Sequence, residues 1–320
     1  MWTKETLHEL VRTKLGDYHF VVVSNREPYV HTYAGSEIKC QVPASGLTVA
    51  LDPVMRACGG TWIAHGSGDA DREVMDDQNK VGVPPEEPRY SLRRVWLTKE
   101  EEDGFYYGFS NEALWPLCHI AYTRPLFKES DWNIYKKVNQ IFADTVLQEV
   151  GTRKAFVFIQ DYHLTLLPRM IKERNVNIIT AQFWHIPWPN REAFRICPWQ
   201  EQILDGLLGN DLLSFHIRYH CNNFLDTVDR AIEAKVDWER YEVTRGGKKT
   251  AVRPFPISVD FEDICREAQN EALALEIDRL SRERQDCQPA QVQGDGGRCE
   301  KKEQALRCHI GVEAITLCQK

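Results

Sequence analysis

Over its first 260 residues the chain is divided by short apolar runs that each stop at a polar or Gly/Pro-rich stretch. His19-Phe-Val-Val-Val-Ser24 is continuous and β-branched, the pattern of a strand buried on both faces, and it ends in Asn25-Arg26-Glu27-Pro28. An extended segment leads to Pro43-Ala-Ser-Gly46, which opens an apolar-periodic helix over Leu47 to Cys58, and Gly59-Gly60 stops it. Strands are expected at Thr61-Trp-Ile-Ala-His65 and Ser91-Leu-Arg-Arg-Val-Trp-Leu97; Thr98-Lys-Glu-Glu101 is then a capping-box pattern that starts a short helix. From about Asp131 to Val150 the apolar residues Ile134, Val138, Ile141, Phe142 and Val146 fall on one helical face.

Ala155-Phe-Val-Phe-Ile159 predicts a buried strand that ends in Gln160-Asp161-Tyr162-His163, with a helix to about Arg174. Asn177 to Phe183 repeats the form and runs into Trp184-His-Ile-Pro-Trp-Pro-Asn190; Asp211 to Phe215 is one more strand, before a helix over roughly Tyr219 to Ala234. Strands alternating with helices of this length predict an α/β fold with a largely parallel sheet. In such sheets ligands bind beyond the carboxyl ends of the strands, where Arg26, Asp161 and His185 each stand, so the three are expected to converge.

Composition narrows the function. With 42 % hydrophobic and 10 % aromatic residues in 320, the chain can bury a real core, and a formal charge of −7 argues against a general grip on nucleic acid or an anionic membrane. The N-terminus, Met1 to Leu10, carries acidic residues at helical spacing and no signal-peptide core, and no window reaches a membrane span, so the sequence reads as cytoplasmic. Cys40, Cys58, Cys118, Cys197 and Cys221 lack paired spacing and read as buried or free thiols. Cys287, Cys299, Cys308 and Cys318 instead crowd into a Gln- and Gly-rich tail that reads like a different sequence.

Several stretches carry candidate chemistry, each with a plainer alternative. Arg26 suits a phosphate or carboxylate, or a surface salt bridge. Ser45-Gly46 either presents helix N-terminal N–H groups to an anion or is an ordinary N-cap. No P-loop or dinucleotide fingerprint is present. Phe105 to Pro116 is aromatic enough to stack on a sugar or to be a core patch. Asp161 and His163 are acid/base candidates or hydroxyl ligands, and His185 is an imidazole held rigidly between Trp184 and two prolines. His216, His220 and Cys221 have partial metal-ligand spacing, without the glutamate or third ligand of a zinc helix.

Taken in order, Ser24-Asn25-Arg26, Ser45-Gly46-Leu47, Phe105 to Pro116, Gln160 to Leu164, Phe183 to Asn190, Asp211 to Phe215 and Pro254-Phe-Pro-Ile-Ser258 resemble the N-terminal half of the trehalose-6-phosphate synthase family. The resemblance implies the N-terminal Rossmann-like domain, a parallel sheet flanked by helices, of a two-domain GT-B glycosyltransferase. That family moves glucose with retention from UDP-glucose to glucose 6-phosphate, without a metal or other cofactor. It implies Arg26, Tyr106 and Asp161 as ligands of glucose 6-phosphate, Trp115 and Ile186 as the walls that fix the anomer, and Ser45, Gly46 and His185 on the donor side. Asp161 and His185 would serve the reaction itself, Asp161 as an orienting ligand, since the donor's own phosphate is thought to take the acceptor proton.

Two departures stand out. Many family members have Gly-Gly where this chain has Ser45-Gly46, which puts one close backbone approach in question. Nothing after Pro254 matches the Arg-Leu-Asp-Tyr-x-Lys-Gly segment that neutralises the donor diphosphate in the family's second domain. The expected organisation is therefore an acceptor-binding domain over 1–260, a linker helix over 261–284 and an atypical, disordered tail over 285–320. A frameshift or premature stop near 285 would produce this pattern, as would a real tail or a split enzyme, and little activity of the chain alone is the expectation. Alternatives are a glucosylglycerol-phosphate synthase-like enzyme using glycerol 3-phosphate, or a non-catalytic sugar-phosphate-binding subunit. Expected partners are the two substrates and, for assembly, a second copy or a complete synthase.

Overall fold

Each apolar run becomes a strand where its pattern placed one. The computed structural model describes residues 4–43, 45–256 and Arg279. Chain contacts gather Met1–Ile257 into one unit and Ser258–Lys320 into another; apart from Arg279, the expected linker helix and tail lie outside the described residues.

Within the first unit, α1 (Lys4–Leu15) precedes β1 (His19–Val23), whose polar exit runs into an antiparallel hairpin of β2 (Val30–Ala34) and β3 (Glu37–Gln41). Next come α2 (Gly46–Cys58), β4 (Thr61–His65) and the antiparallel pair β5 (Lys80–Val83) and β6 (Tyr90–Val95). The Thr98 capping box forms as read: its hydroxyl accepts from Glu101 N at 3.2 Å and the Glu101 carboxylate accepts from Thr98 N at 2.8 Å. The helix it opens, α3 (Lys99–Glu102), does not stop there. It widens into i→i+5 turns over Asp103–Leu114, so that Trp115 N reaches Ser110 O, and tightens again in α4 (Trp115–His119). Gly104 and Gly108 let this segment lie against the long helix α5 (Glu129–Val150): a Cβ on them would come within 2.5 Å of Ile134 and 2.6 Å of Asp131.

The second half repeats strand and helix: β7 (Ala155–Gln160), α6 (Leu167–Arg174), β8 (Ile179–Trp184), the short α7 (Arg191–Phe194), α8 (Gln200–Leu207), β9 (Leu212–Phe215) and α9 (Arg218–Ala231). It ends in β10 (Lys235–Asp237), β11 (Glu242–Arg245) and β12 (Lys248–Pro254), which the sequence reading missed because these strands are short and carry more charge than apolar surface.

Besides the β2-β3 hairpin, ten strands form one sheet, in the order β10-β11-β12-β9-β8-β7-β1-β4-β6-β5. From β12 to β6 every neighbour is parallel, and antiparallel strands close both edges. The chain leaves β1 toward β4 and β6, then returns to the other side of β1 with β7, β8 and β9. The order therefore reverses between β1 and β7, and a crevice opens there at the carboxyl ends. The opposite end of the sheet is closed by ion pairs. Glu149 meets Lys80 at 2.9 Å, Arg93 at 3.0 Å and His19 at 3.3 Å, and Lys172 meets Asp211 at 2.6 Å.

Candidate active site

The exit of β1 is held from beneath. Glu27 and Arg94 are each 2 % exposed, and Arg94 Nε donates to Glu27 Oε2 at 2.6 Å while its Nη2 lies 2.7 Å from Asp71 Oδ1. The same Nη2 donates to Tyr29 O at 2.8 Å, and Ser67 gives both its N–H (2.8 Å) and its hydroxyl (3.0 Å) to Glu27 Oε1. Burial raises the Glu27 carboxyl to about 7, even though Arg94 pulls the other way. Tyr29 reaches Asp52 of α2 at 3.1 Å, so this frame also ties the helix that Gly46 begins. Arg26, between the buried Asn25 and Glu27, is thereby fixed at its backbone while its side chain stands exposed.

The guanidinium of Arg26 donates to the Tyr106 hydroxyl at 3.2 Å, which leaves that hydroxyl's own proton free to point outward. Tyr106 comes from the widened helical segment. Of its aromatic neighbours, Phe105 and Phe109 are fully buried and pack on Tyr135, whereas Tyr106 is half-buried. Phe105 and Phe109 thus belong to the core patch, while Tyr106 keeps part of its surface open. Behind Tyr106 lies the His163 ring, stacked at 5.6 Å between centroids and 14° between planes. Its Nε2 is buried without a partner among the described residues, and Nδ1 is 4.0 Å from Asp161 Oδ2. Burial first, then the charge of Arg26, lowers the His163 pKa to about 3, so the ring is neutral.

Asp161 occupies the end of β7 with φ +69° and ψ −179°, a region that side chains other than glycine's avoid, at a cost of about 1–3 kcal/mol. Its neighbours hold it there. Asp161 N donates to Phe183 O at 2.7 Å, Gln182 Nε2 donates to Asp161 O at 2.9 Å, and Oδ1 accepts from Tyr162 N (2.9 Å) and His185 N (3.2 Å). Oδ2 is left for the cleft. Burial pushes this carboxyl up to about 7 against the two N–H groups, although 22 % of the side chain stays open to solvent, which moderates the push.

At the end of β8, His185 is part-buried, its Nε2 lies 3.0 Å from Gln160 Oε1, and its ring sits 4.7 Å from Phe183 and 5.8 Å from His216. Burial, then His216, depresses its pKa to about 4. The loop beyond is anchored rather than exposed. Trp184 and Trp188 are fully buried, and the Trp188 carbonyl accepts from His220 Nδ1 at 3.2 Å and Asn223 Nδ2 at 3.0 Å. His220 thus secures this loop, and His216 packs on Phe183 at 4.8 Å. Among the described residues no cluster of metal-ligating side chains forms.

Arg26, Tyr106, Asp161 and His185 therefore come together around one crevice, with His163, an acid/base or ligand candidate in the sequence, stacked behind Tyr106, and Gln160 in a supporting position that the sequence reading did not assign. Ile186 is 9 % exposed and belongs to the core, while Trp115 is 43 % exposed, stacks on His119 at 4.1 Å, and makes no hydrogen bond or ring contact with Arg26, Tyr106 or Asp161. Its element is tied in one turn earlier, by the Tyr162 hydroxyl donating to Asn111 at 2.9 Å. Ser45 occupies the N-cap of α2 with no side-chain cap bond, and a Cβ on Gly46 would meet nothing within 4 Å. The expected capping by Ser45 is thus not made, because its hydroxyl reaches no N–H of the first turn. The signal that the frame of Arg94 existed was present: strand alternation puts Arg94 on the buried face with Tyr90 and Leu92.

Among the described residues no helix is long and apolar enough to cross a membrane. The trehalose-6-phosphate synthase of Mycolicibacterium vanbaalenii is 34 % identical over 265 residues, 80 % of this chain and 53 % of that protein. That of Mycobacterium ulcerans is 34 % identical over 254 residues, 77 % of this chain and 49 % of that one. The chain spans about half the length of these relatives. The E. coli trehalose-6-phosphate structure bound with UDP-2-fluoro glucose superposes with a TM-score of 0.66 at 27 % identity, over 82 % of this chain and 54 % of that one. An α/β sheet of the GT-B type is common to both. A profile of glycosyltransferase family 20 matches residues 18–289, and with that match over most of its length the chain belongs to glycosyltransferase family 20.

Proposed function

We propose that this unit binds the acceptor in a transfer of glucose from UDP-glucose to glucose 6-phosphate, the reaction of a UDP-forming trehalose-phosphate synthase. The observation that carries this is the arrangement around Asp161. A strained acidic residue offers one free carboxylate oxygen near the His163 ring, on which Tyr106 stacks, and Tyr106 and Arg26 supply two donors. Carboxylate for a hydroxyl, and a cation with a phenol for a phosphate, is the pairing a sugar phosphate requires.

Asp161 acts as an orienting ligand. Its Oδ1 is committed to two backbone N–H groups, and Oδ2 accepts a sugar hydroxyl; the rate gain from such groups is positional. His185 and the open N-terminus of α2 at Gly46 face the donor, where N–H groups stabilise charge on the departing diphosphate. UDP-glucose and glucose 6-phosphate are the proposed partners.

The test is calorimetric titration of the chain with glucose 6-phosphate, glucose and glycerol 3-phosphate. Glucose 6-phosphate is expected to bind best, and Arg26→Ala to weaken it about tenfold or more, as loss of a charge-assisted hydrogen bond does. Equal binding of glucose and glucose 6-phosphate would refute the phosphate site. Tighter binding of glycerol 3-phosphate would move the acceptor to that glycerol phosphate.

A further inference from the structure

We propose that Gln160 is a positioning residue that holds His185 as the Nδ1–H tautomer, so that the ring offers the cleft an N–H donor. What the donor then meets, a sugar hydroxyl or a phosphate oxygen, rests on the reading above; the tautomer does not.

Gln160 closes β7 and faces β8 in register with Phe183, two residues before His185. It is 1 % exposed, and its amide has one partner, the His185 ring at 3.0 Å. With Oε1 toward the ring, His185 Nε2 must carry the proton, and the Gln160 amide nitrogen is left buried with no acceptor. Turning the amide by half a rotation keeps its shape and exchanges the two atoms. Gln160 Nε2 then donates one N–H to His185 Nε2, and the second N–H and the carbonyl oxygen are left without partners. The first orientation orphans both buried N–H groups and the turned one only one, and a buried orphan N–H is less tolerated than an unpaired carbonyl, so the turned amide is the favoured one.

A ring nitrogen that accepts a hydrogen bond bears no proton, so in the neutral ring the proton resides on Nδ1. Nδ1 makes no hydrogen bond among the described residues and is not one of the buried unpartnered atoms, which leaves it open to the cleft. The ring is held in place by Phe183 and His216, and the neutral form is favoured by its burial. Gln160 thus decides whether the cleft meets a donor or a bare lone pair.

The experiment is nitrogen NMR on the 15N-histidine-labelled 320-residue chain at pH 7, with the His185 ring sequentially assigned. The expected result is a proton on Nδ1. In Gln160→Met, which removes the hydrogen bond at similar volume, that form should lose its dominance to Nε2–H, the form free imidazole side chains prefer. A wild-type ring protonated on Nε2 overturns the proposal, and so does an Nδ1–H ring unchanged in Gln160→Met; if the variant fails to fold, the wild-type result alone decides. UDP-glucose added to the labelled chain is expected to shift Nδ1 more than Nε2. No shift on either atom removes the donor-side reading of His185 and leaves the tautomer assignment in force.

Discussion

Replacing Arg94 with methionine tests whether the frame under Arg26 is electrostatic. The substitution keeps an unbranched side chain of similar reach and removes the cation. Two carboxyls, Glu27 and Asp71, then remain in a space where the arginine side chain is 0 % exposed, having lost partners at 2.6 and 2.7 Å. Breaking a buried pair from one side costs about 3–5 kcal/mol, because the partner's desolvation is no longer offset. The loss should fall within that range at pH 7.5, read from urea unfolding of wild type and Arg94→Met.

The pH dependence gives the cause. In the wild type Glu27 has a folded pKa of about 7, above its ordinary value near 4.5, so its contribution is greatest below 4.5 and is lost as pH rises through 7. Without Arg94 the folded pKa rises further, and the variant binds a proton the wild type releases. The penalty should therefore narrow by about 1 kcal/mol between pH 7.5 and 5.5. A loss below about 1 kcal/mol at pH 7.5, or one that widens toward pH 5.5, would show that shape rather than charge holds this loop.

Further outcomes follow from four single positions. Gly60 has φ +103° and a Cβ there would lie 2.2 Å from Phe20 O, so Gly60→Ala should unfold at markedly lower urea, whereas Gly46→Ala, with nothing within 4 Å, should leave the midpoint unchanged or slightly raised. Ser45→Ala should cost well under the roughly 1 kcal/mol typical of an N-cap serine, because Ser45 makes no cap bond; a full loss would mean that the bond forms in solution. His163, with a folded pKa of about 3, is protonated far more readily when unfolded, so stability present above pH 6.5 is lost as pH falls from there. His163→Phe should lose less than wild type between pH 6.5 and 4 in acid titrations followed by circular dichroism.

What the sequence made legible follows from which forces act locally. Buried parallel strands announce themselves because both faces need apolar side chains, so Val21 to Val23 and Val157 to Ile159 were readable one by one. The polar residues directly after those strands were readable as a site for the same reason: chain direction alone puts Arg26, Asp161 and His185 at one end of the sheet. Strand order was not readable, since it depends on which edge each crossover helix takes, and it is the reversal between β1 and β7 that brings Arg26 beside Asp161. Local pattern was equally silent on pairings across long separations. Tyr106 and Arg26 are 80 residues apart, Arg94 and Glu27 are 67, and nothing near either member names the other.

The rigid loop after β8 shows the limit most clearly. Its tryptophans and prolines were legible as a rigid mount for His185, but not the burial that makes it one: Trp184 and Trp188 are fully buried and the loop gives the cleft His185. The bulky residues are anchors: Trp188 donates to Thr227 at 3.1 Å, and its carbonyl is held from α9 by His220 and Asn223. Such fixing decides function here, because a ring with one nitrogen on Gln160 and one open to the crevice is useful only if it does not turn. The apolar mass therefore belongs to the orientation of His185 rather than to contact with a sugar, and its effect on any ligand passes through that one imidazole.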